Sequence, residues 1–259
     1  MTLSKRQTSI LSSARQRGTV RIADLADSLG VSLETVRRDI RPLVDAGDLV
    51  KVHGAISLSG PPPSEAPFER RMRENEDEKR RIASHLATGI ADGDSVMMDT
   101  GTTTSILARE LLGKTGLTIV TNSSDVARTL STVNGNRVYM AGGELHGDNG
   151  AAFGRSAIAF IADFRVRHAI ISIAAMDADL GLMDYHLAEA EFARTVLSCG
   201  QERIVITDHT KFNRAALVRV AGFDEFDRLV TDRAPPDDIA EKLRHAGTRV
   251  EIAGDLPRV

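Results

Sequence analysis

The chain has 259 residues, 33 Lys plus Arg against 36 Asp plus Glu, a formal net charge of −3 and 42% apolar residues. That balance describes a folded globular protein and excludes both a disordered tail and a uniformly basic, histone-like binder. The charge is uneven, +3 over residues 1–58 and −6 over the rest, and the length favours a small domain joined to a medium one.

Ser4 can cap a helix that runs to Arg17, where Gly18 stops it. Ile22 to Leu29 reads as a second helix, and Gly30-Val31-Ser32 as a tight turn into a third. At about 100° per residue, Val36, Ile40, Leu43 and Val44 share one face of that third helix. Glu34, Arg38 and Arg41 lie nearly opposite, with Thr35 and Arg37 on the flanks. A helix in the DNA major groove needs this arrangement: an apolar back held by its domain, and long donors reaching bases and phosphates. Leu49 to Leu58 reads as a hairpin bent at His53-Gly54, which completes a winged helix-turn-helix over residues 1–58.

Arginines that merely solubilise a surface helix are the plainer alternative. The turn, the short second helix and the hairpin together favour DNA binding. The candidate DNA contacts are Ser32, Thr35, Arg37, Arg38, Arg41 and, in the wing, His53, for which a turn-packing role is an equal account. Pro42 lies inside the recognition helix, where it removes one donor and crowds the Arg38 carbonyl. Sequence alone does not choose between a kink there and a continuous helix.

Gly60-Pro61-Pro62-Pro63-Ser64 is stiff and poor in donors, so a linker is placed over 59–74. Glu69 to Arg81 carries both signs of charge at helical spacing and reads as a solvated helix. Over 75–254, apolar runs at Ser95–Met98, Leu117–Val120, Arg137–Met140, Ala169–Ile173, Arg203–Thr207 and Arg228–Val230 read as strands. They alternate with helices near Glu78–Ile90, Thr103–Leu112, Ser124–Leu130, His186–Cys199 and Asp237–Ala246. The pattern predicts an α/β domain with a mainly parallel sheet.

Ligands of such sheets bind beyond the carboxyl ends of strands. The residues that follow the predicted strands are Asp99-Thr100-Gly101-Thr102-Thr103, Thr121-Asn122-Ser123, Gly142-Gly143-Glu144, Met176-Asp177, Asp208-His209-Thr210-Lys211 and Asp232. Gly101, Thr102 and Thr103 at a helix start suit an anion, and Lys211 can add a cation. Asp99 would repel a phosphate, so it suits a sugar hydroxyl or the loop itself. An ordinary capped turn explains the threonines equally well, Asn122 can be only a cap, and Gly142-Gly143 only a turn. His186 and Glu189 fall on one face of a predicted helix, as structural or ligand-facing groups. No second histidine follows at zincin spacing, and neither a P-loop nor a dinucleotide fingerprint is present, so no metal or cofactor is expected.

Val31-Ser32, Thr35-Val36-Arg37-Arg38-Asp39-Ile40 and Val52-His53-Gly54-Ala55 resemble the DeoR family of bacterial repressors. The resemblance continues through Asp99–Thr103, Thr121-Asn122, Gly142-Gly143, Glu189-Ala190 and Asp208–Phe212. It implies a sensor fold similar to ribose-phosphate isomerases and a phosphorylated sugar or polyol as effector. Together with the strand-end positions it gives a candidate effector set of Asp99, Gly101, Thr102, Thr103, Asn122, Gly142, Gly143, Asp177, His186, Glu189, Asp208 and Lys211. Gly142–Leu145, Asp184–His186 and Thr231-Asp232 with Pro235-Pro236 look most like the family's glycerol-3-phosphate branch, whereas Ala174-Ala175 stand where many relatives carry glycine.

The rival reading is a sugar-phosphate isomerase or deaminase with Asp99, Asp177, Glu189 or Asp208 as base; an enzyme of that kind has no use for a winged helix. One winged helix makes few base contacts, so a homodimer or homotetramer on operator DNA is expected. The polar opening residues and the single Cys199 suggest a cytoplasmic, reduced protein. The richest apolar run, Ala169 to Met176, is far below the roughly 20 residues of a membrane span.

Overall fold

The structure, a computed structural model, describes residues 4–17, 19–46, 48–52, 54–58 and 65–254. The N-terminal region contains α1 (Lys5–Arg17), β1 (Thr19–Arg21), α2 (Ile22–Leu29), α3 (Leu33–Asp45), β2 (Leu49–Val52) and β3 (Ala55–Leu58). Ser4 and Gln7 close a reciprocal cap at the start of α1, each backbone N–H donating to the other's side chain at 2.9 and 3.1 Å. Gly30 ends α2 in the left-handed conformation at φ 62°, which a side chain would resist, and so sets the turn into α3. The hairpin β2–β3 forms as expected, and β1 joins it in the order β1-β3-β2. Val36, Ile40 and Leu43 are buried against Ile10, Leu25, Leu49 and Ile56. Helix α3 runs on through Pro42 to Asp45, so the continuous form is the one found. The proline deprives only the Arg38 carbonyl of its donor, and the Ala46 N–H donates to the Pro42 carbonyl at 2.9 Å.

The second region runs α4 (Phe68–Arg73), α5 (Glu76–Thr88), β4 (Ser95–Met98), α6 (Thr102–Glu110), β5 (Thr118–Thr121), α7 (Ser124–Leu130) and β6 (Arg137–Met140). It continues with α8 (Arg155–Ala162), β7 (Val166–Ser172), β8 (Ala175–Asp177), β9 (Gly181–Asp184), α9 (Leu187–Ser198) and β10 (Gly200–Ile206). The last elements are β11 (Val218–Ala221), β12 (Arg228–Thr231), α10 (Asp237–Ala246) and β13 (Arg249–Ile252). Seven strands form one parallel sheet in the order β13-β12-β10-β7-β4-β5-β6. The interior strands are apolar on both faces because both are covered: residues of α5, α6 and α7 pack on one, those of α8, α9 and α10 on the other.

Three short strands, β11-β9-β8, make a separate antiparallel sheet that the sequence pattern does not announce. Strands of three or four residues give too little alternation to stand out from loop. Helix α8 and strand β13 were likewise not among the expected elements. The solvated helix expected over Glu69–Arg81 is two helices, broken at Asn75, whose φ of 53° no helix tolerates. From Glu65 onward the segment expected as linker lies on the α/β domain, with Phe68 buried and its N–H donating to the Asp148 carboxylate. The Gly-Pro-rich stretch up to Ser64 lies outside the described residues.

Candidate functional site

The recognition surface is simple to build. The Ser32 hydroxyl accepts the Thr35 N–H at 3.2 Å and caps α3, which fixes where the helix enters. Arg37, Arg38 and Arg41 are exposed on the face opposite Val36 and Ile40. Together with Ser32, Thr35 and the wing residue Lys51 they line one depression of about 480 Å³. Arg37 has an ion pair with Glu34 at 3.6 Å. Arg6 pairs with Asp39 at 2.7 Å and ties α1 to the recognition helix. His53 lies outside the described residues. Lys51, whose charge on a β-hairpin gave no periodic signal, joins the arginines through the fold.

In the α/β domain the chain builds β4, β5 and β6 outward in one direction and then returns to place β7 on the other side of β4. A crevice opens where strand order reverses in this way. It lies beyond the carboxyl ends of β4, β7 and β10, the three adjacent central strands. Two hollows that share Arg71 in their walls occupy the position. The larger, about 230 Å³, is lined by Lys79, Thr102, Asp208, Lys211 and Arg214; the smaller, about 30 Å³, by Glu65, Gly101, Asn149, Asp184 and Glu189.

The two ends differ in charge. At the larger, Lys79 is buried and its ammonium donates to the Glu74 carbonyl at 2.7 Å and to the Arg71 carbonyl. Burial, against the pull of Asp208, brings its pKa down to about 8. The Asp208 carboxylate accepts the Thr210 N–H at 3.0 Å, and so shapes the turn that presents Lys211. At the smaller end, burial pushes the carboxyls of Asp184 and Glu189 upward, and each is further affected by the hydrogen bond between them. Asn149 donates to Glu189 at 3.1 Å. Beneath them Asp99 accepts the Ser172 N–H through both oxygens, at 3.2 and 3.1 Å, while its own burial lifts it well above the usual carboxylate range. Gly101 is the only residue type that fits its place: a Cβ there would lie 1.9 Å from the Ser172 hydroxyl and 3.1 Å from its Cβ.

Gly101, Thr102, Glu189, Asp208 and Lys211 therefore meet at the crevice, with Asp99 under its floor. Other expected positions stand elsewhere, for reasons of topology. Thr103 is buried inside α6 and lines neither hollow. Asn122 follows β5, one strand further out, and donates to the Ala152 carbonyl at 3.0 Å. Gly142 and Gly143 follow the edge strand β6 and are exposed. Asp177 pairs across the hairpin with Gly181, whereas Asp184 leaves β9 at the opposite end, beside the crevice. His186 does not share a helix face with Glu189, because α9 begins only at Leu187 and the exposed His186 is extended in front of it.

Sequence reading missed Glu65, Arg71, Lys79, Asn149, Asp184 and Arg214 as residues of the crevice. One signal was available: Lys79, Ile82, Ala83 and Leu86 fall at i, i+3, i+4 and i+7, which puts a lysine on the buried face of α5.

Among the described residues no helix is long and apolar enough to cross a membrane. A crystal structure of ribose 5-phosphate isomerase A from Neisseria gonorrhoeae is similar over 52% of this chain and 53% of its own, at 16% identity and a TM-score of 0.38, a likeness too distant to bear on chemistry. Relatives similar along nearly the whole chain include repressors. The HTH-type transcriptional repressor CsqR of Escherichia coli is 34% identical over 97% of this chain and 95% of its own. The glycerol-3-phosphate regulon repressor of the same species is 31% identical over 97% of this chain and 100% of its own. Residues 6–59 match the DeoR-like helix-turn-helix domain and residues 74–233 the DeoR C-terminal sensor domain, so the chain belongs to the DeoR family of transcriptional repressors.

Proposed function

We propose that this repressor controls a carbohydrate or glycerol catabolic operon and is released from its operator by a phosphorylated sugar or polyol, with glycerol 3-phosphate the first candidate. The observation that carries the reading is the polarity of the crevice. Lys79, Lys211, Arg71 and Arg214 outnumber Asp208 and Glu74 at one end, whereas Glu65, Asp184 and Glu189 outnumber Arg71 at the other. A phosphorylated polyol has the matching polarity: an anion that takes N–H and ammonium donors, and hydroxyls that donate to Asp184 and Glu189. Thr102, at the first turn of α6, adds a hydroxyl and the helix N-terminus to the anion end. The similarity to a glycerol-3-phosphate regulon repressor supports the first choice of ligand.

Ser32, Thr35, Arg37, Arg38, Arg41 and His53 are the proposed operator contacts, with residues 1–58 as the DNA-binding head, 59–74 as connector and 75–254 as sensor. A homodimer or homotetramer acting in the cytoplasm would supply paired heads for operator half-sites roughly 34–36 Å apart. The test is a gel-shift titration on the operator with glycerol 3-phosphate, other sugar phosphates and glycerol. Release by a phosphorylated compound and not by glycerol is the expected result. Release by neither class, or turnover of a sugar phosphate to a new product, would overturn the reading.

A further inference from the structure

Glu65 is the first residue described after the winged helix-turn-helix region, and it lies against the sensor. Its side chain is 13% exposed, and the carboxylate sits 2.9 Å from the Arg71 guanidinium and 3.8 Å from the Lys211 ammonium. Both cations line the anion end of the crevice, and Glu65 itself lines the adjoining hollow. A carboxylate of the chain thus already holds two of the groups to which a ligand phosphate would bind. We propose that Glu65 is an internal stand-in for the effector's phosphate, displaced when that phosphate binds, so that occupancy of the crevice detaches the end of the connector from the sensor. The inference rests on the reading of the crevice as a site for phosphorylated ligands, and deepens it.

Electrostatics gives both halves of the exchange. Without ligand, Arg71 and Lys211 are mostly buried, 15% and 19% exposed, and buried cations without a counter-charge are costly. Glu65 supplies that charge. It does so in unfavourable company, because it faces Asp184 and Glu189 and raises both of their carboxyl pKa values. A phosphate monoester brings a charge of about −1.5 to −2 and three acceptor oxygens, against one charge and two oxygens for a carboxylate. It outcompetes Glu65 for the same cations and lifts one acidic group away from two others.

The geometry limits how far the change spreads. Phe68 stays anchored, buried and bonded to Asp148, and Arg71 also donates to the Ala66 carbonyl at 2.9 Å. Displacement therefore acts on the residues before Phe68, on the side that leads to the winged helix. A ligand that must replace an internal group binds more weakly by the population of the unoccupied state, and that difference is the coupling delivered to the connector.

The test compares the full-length wild type with Glu65→Gln and with Glu69→Gln, which removes the same charge from an exposed position that lines neither hollow. Calorimetry with inorganic phosphate and with glycerol 3-phosphate reads affinity; amide hydrogen exchange reads the connector. Glu65→Gln should tighten both anions at least fivefold while Glu69→Gln leaves them unchanged. Exchange at the amides of residues 65 and 66 should rise in the wild type on saturation with phosphate, and be high in Glu65→Gln without it. Anion binding that Glu65→Gln leaves unaltered, or wild-type exchange that saturating phosphate leaves unaltered, removes this inference and leaves the effector reading standing. If neither anion binds any of the three proteins, the effector reading falls and takes this inference with it.

Discussion

The recognition helix and the effector crevice are both clusters of cations, but they are assembled in opposite ways. In α3 every contributor but one lies within ten residues, on a helix whose back is buried by Val36, Ile40 and Leu43, and the arginines stand in solvent. In the crevice, Arg71, Lys79, Thr102, Asp184, Glu189 and Lys211 come from separate elements and are wholly or largely buried. Exposed cations keep their water and gain little from one another, so the DNA surface is available at all times and its strength depends on salt. Buried cations demand a partner, and here Glu65 already pairs with Arg71 and lies 3.8 Å from Lys211, so an arriving anion competes with an internal one. One region is built to wait, the other to respond.

That contrast predicts that the two regions can be broken separately. Ile40 is fully buried in the small N-terminal core with Ile10, Leu25, Leu49 and Ile56. Truncating such a residue to alanine costs about 2–5 kcal/mol, a large part of what a domain this small has to spare. Ile40→Ala is expected to abolish operator binding and to shift an early, separate phase of thermal unfolding. Effector affinity and the main unfolding phase should stay at wild-type values. A single transition lowered as a whole would mean that head and sensor unfold as one unit.

Arg38→Ala sharpens the comparison with a smaller effect. The residue is exposed and takes no part in the core, so stability should hold within about 0.5 kcal/mol. A bidentate arginine-to-base contact discriminates by about 1–3 kcal/mol. The ratio of operator to scrambled-DNA affinity, measured by gel shift at fixed salt, should fall roughly 5-fold to 150-fold. Loss of affinity for both DNAs in equal proportion would make Arg38 a phosphate contact and move base reading to Arg37 or Arg41.

The same contrast governs what could be read from sequence. The winged helix was legible because α3 is an amphipathic helix with a serine cap and a glycine turn, all local signals. The parallel sheet was legible as well, since strands such as Ser95–Met98 and helices such as Asp237–Ala246 are each self-contained patterns. Which strand ends would meet depended on strand order, and nothing local in Asn122 or Gly142 tells that β5 and β6 lie outside the crossover point. Glu65 and Arg71 looked like ordinary surface charge because the residues they meet in the crevice, Asp184, Glu189 and Lys211 among them, are distant in sequence. The β8 carboxylate Asp177 and the β9 carboxylate Asp184 could be told apart only after the hairpin that separates them was known.

The weakest expected effect separates the two ends of the crevice by pH. Burial, then the charge and hydrogen bond of Glu189, push the Asp184 carboxyl well above its ordinary value, and burial likewise raises Glu189. In the unfolded chain both titrate near ~4. Groups whose folded pKa is raised contribute stability that is complete below the unfolded pKa and is lost as pH climbs through the folded one. The pair therefore favours the folded state in acid and costs stability toward neutrality. Asp227 works the other way, held below its usual range chiefly by the Arg203 hydrogen bond, so an unadorned pH profile would blur the two. Comparing Asp184→Asn with wild type cancels that background. Without ligand, the variant should melt a few degrees higher at pH 7–8, with the gain shrinking toward zero near pH 4, since about 1 kcal/mol moves the midpoint of a domain this size by roughly 2–4 °C. The same substitution should weaken glycerol 3-phosphate, because an amide in place of the carboxyl gives the polyol hydroxyls a poorer acceptor. It should leave inorganic phosphate, bound at the cationic end, nearly untouched. A gain in melting temperature that is constant from pH 4 to 8 would show that the carboxyls are not strained against one another. Equal loss of both ligands would show that the crevice has no acid end and cation end at all.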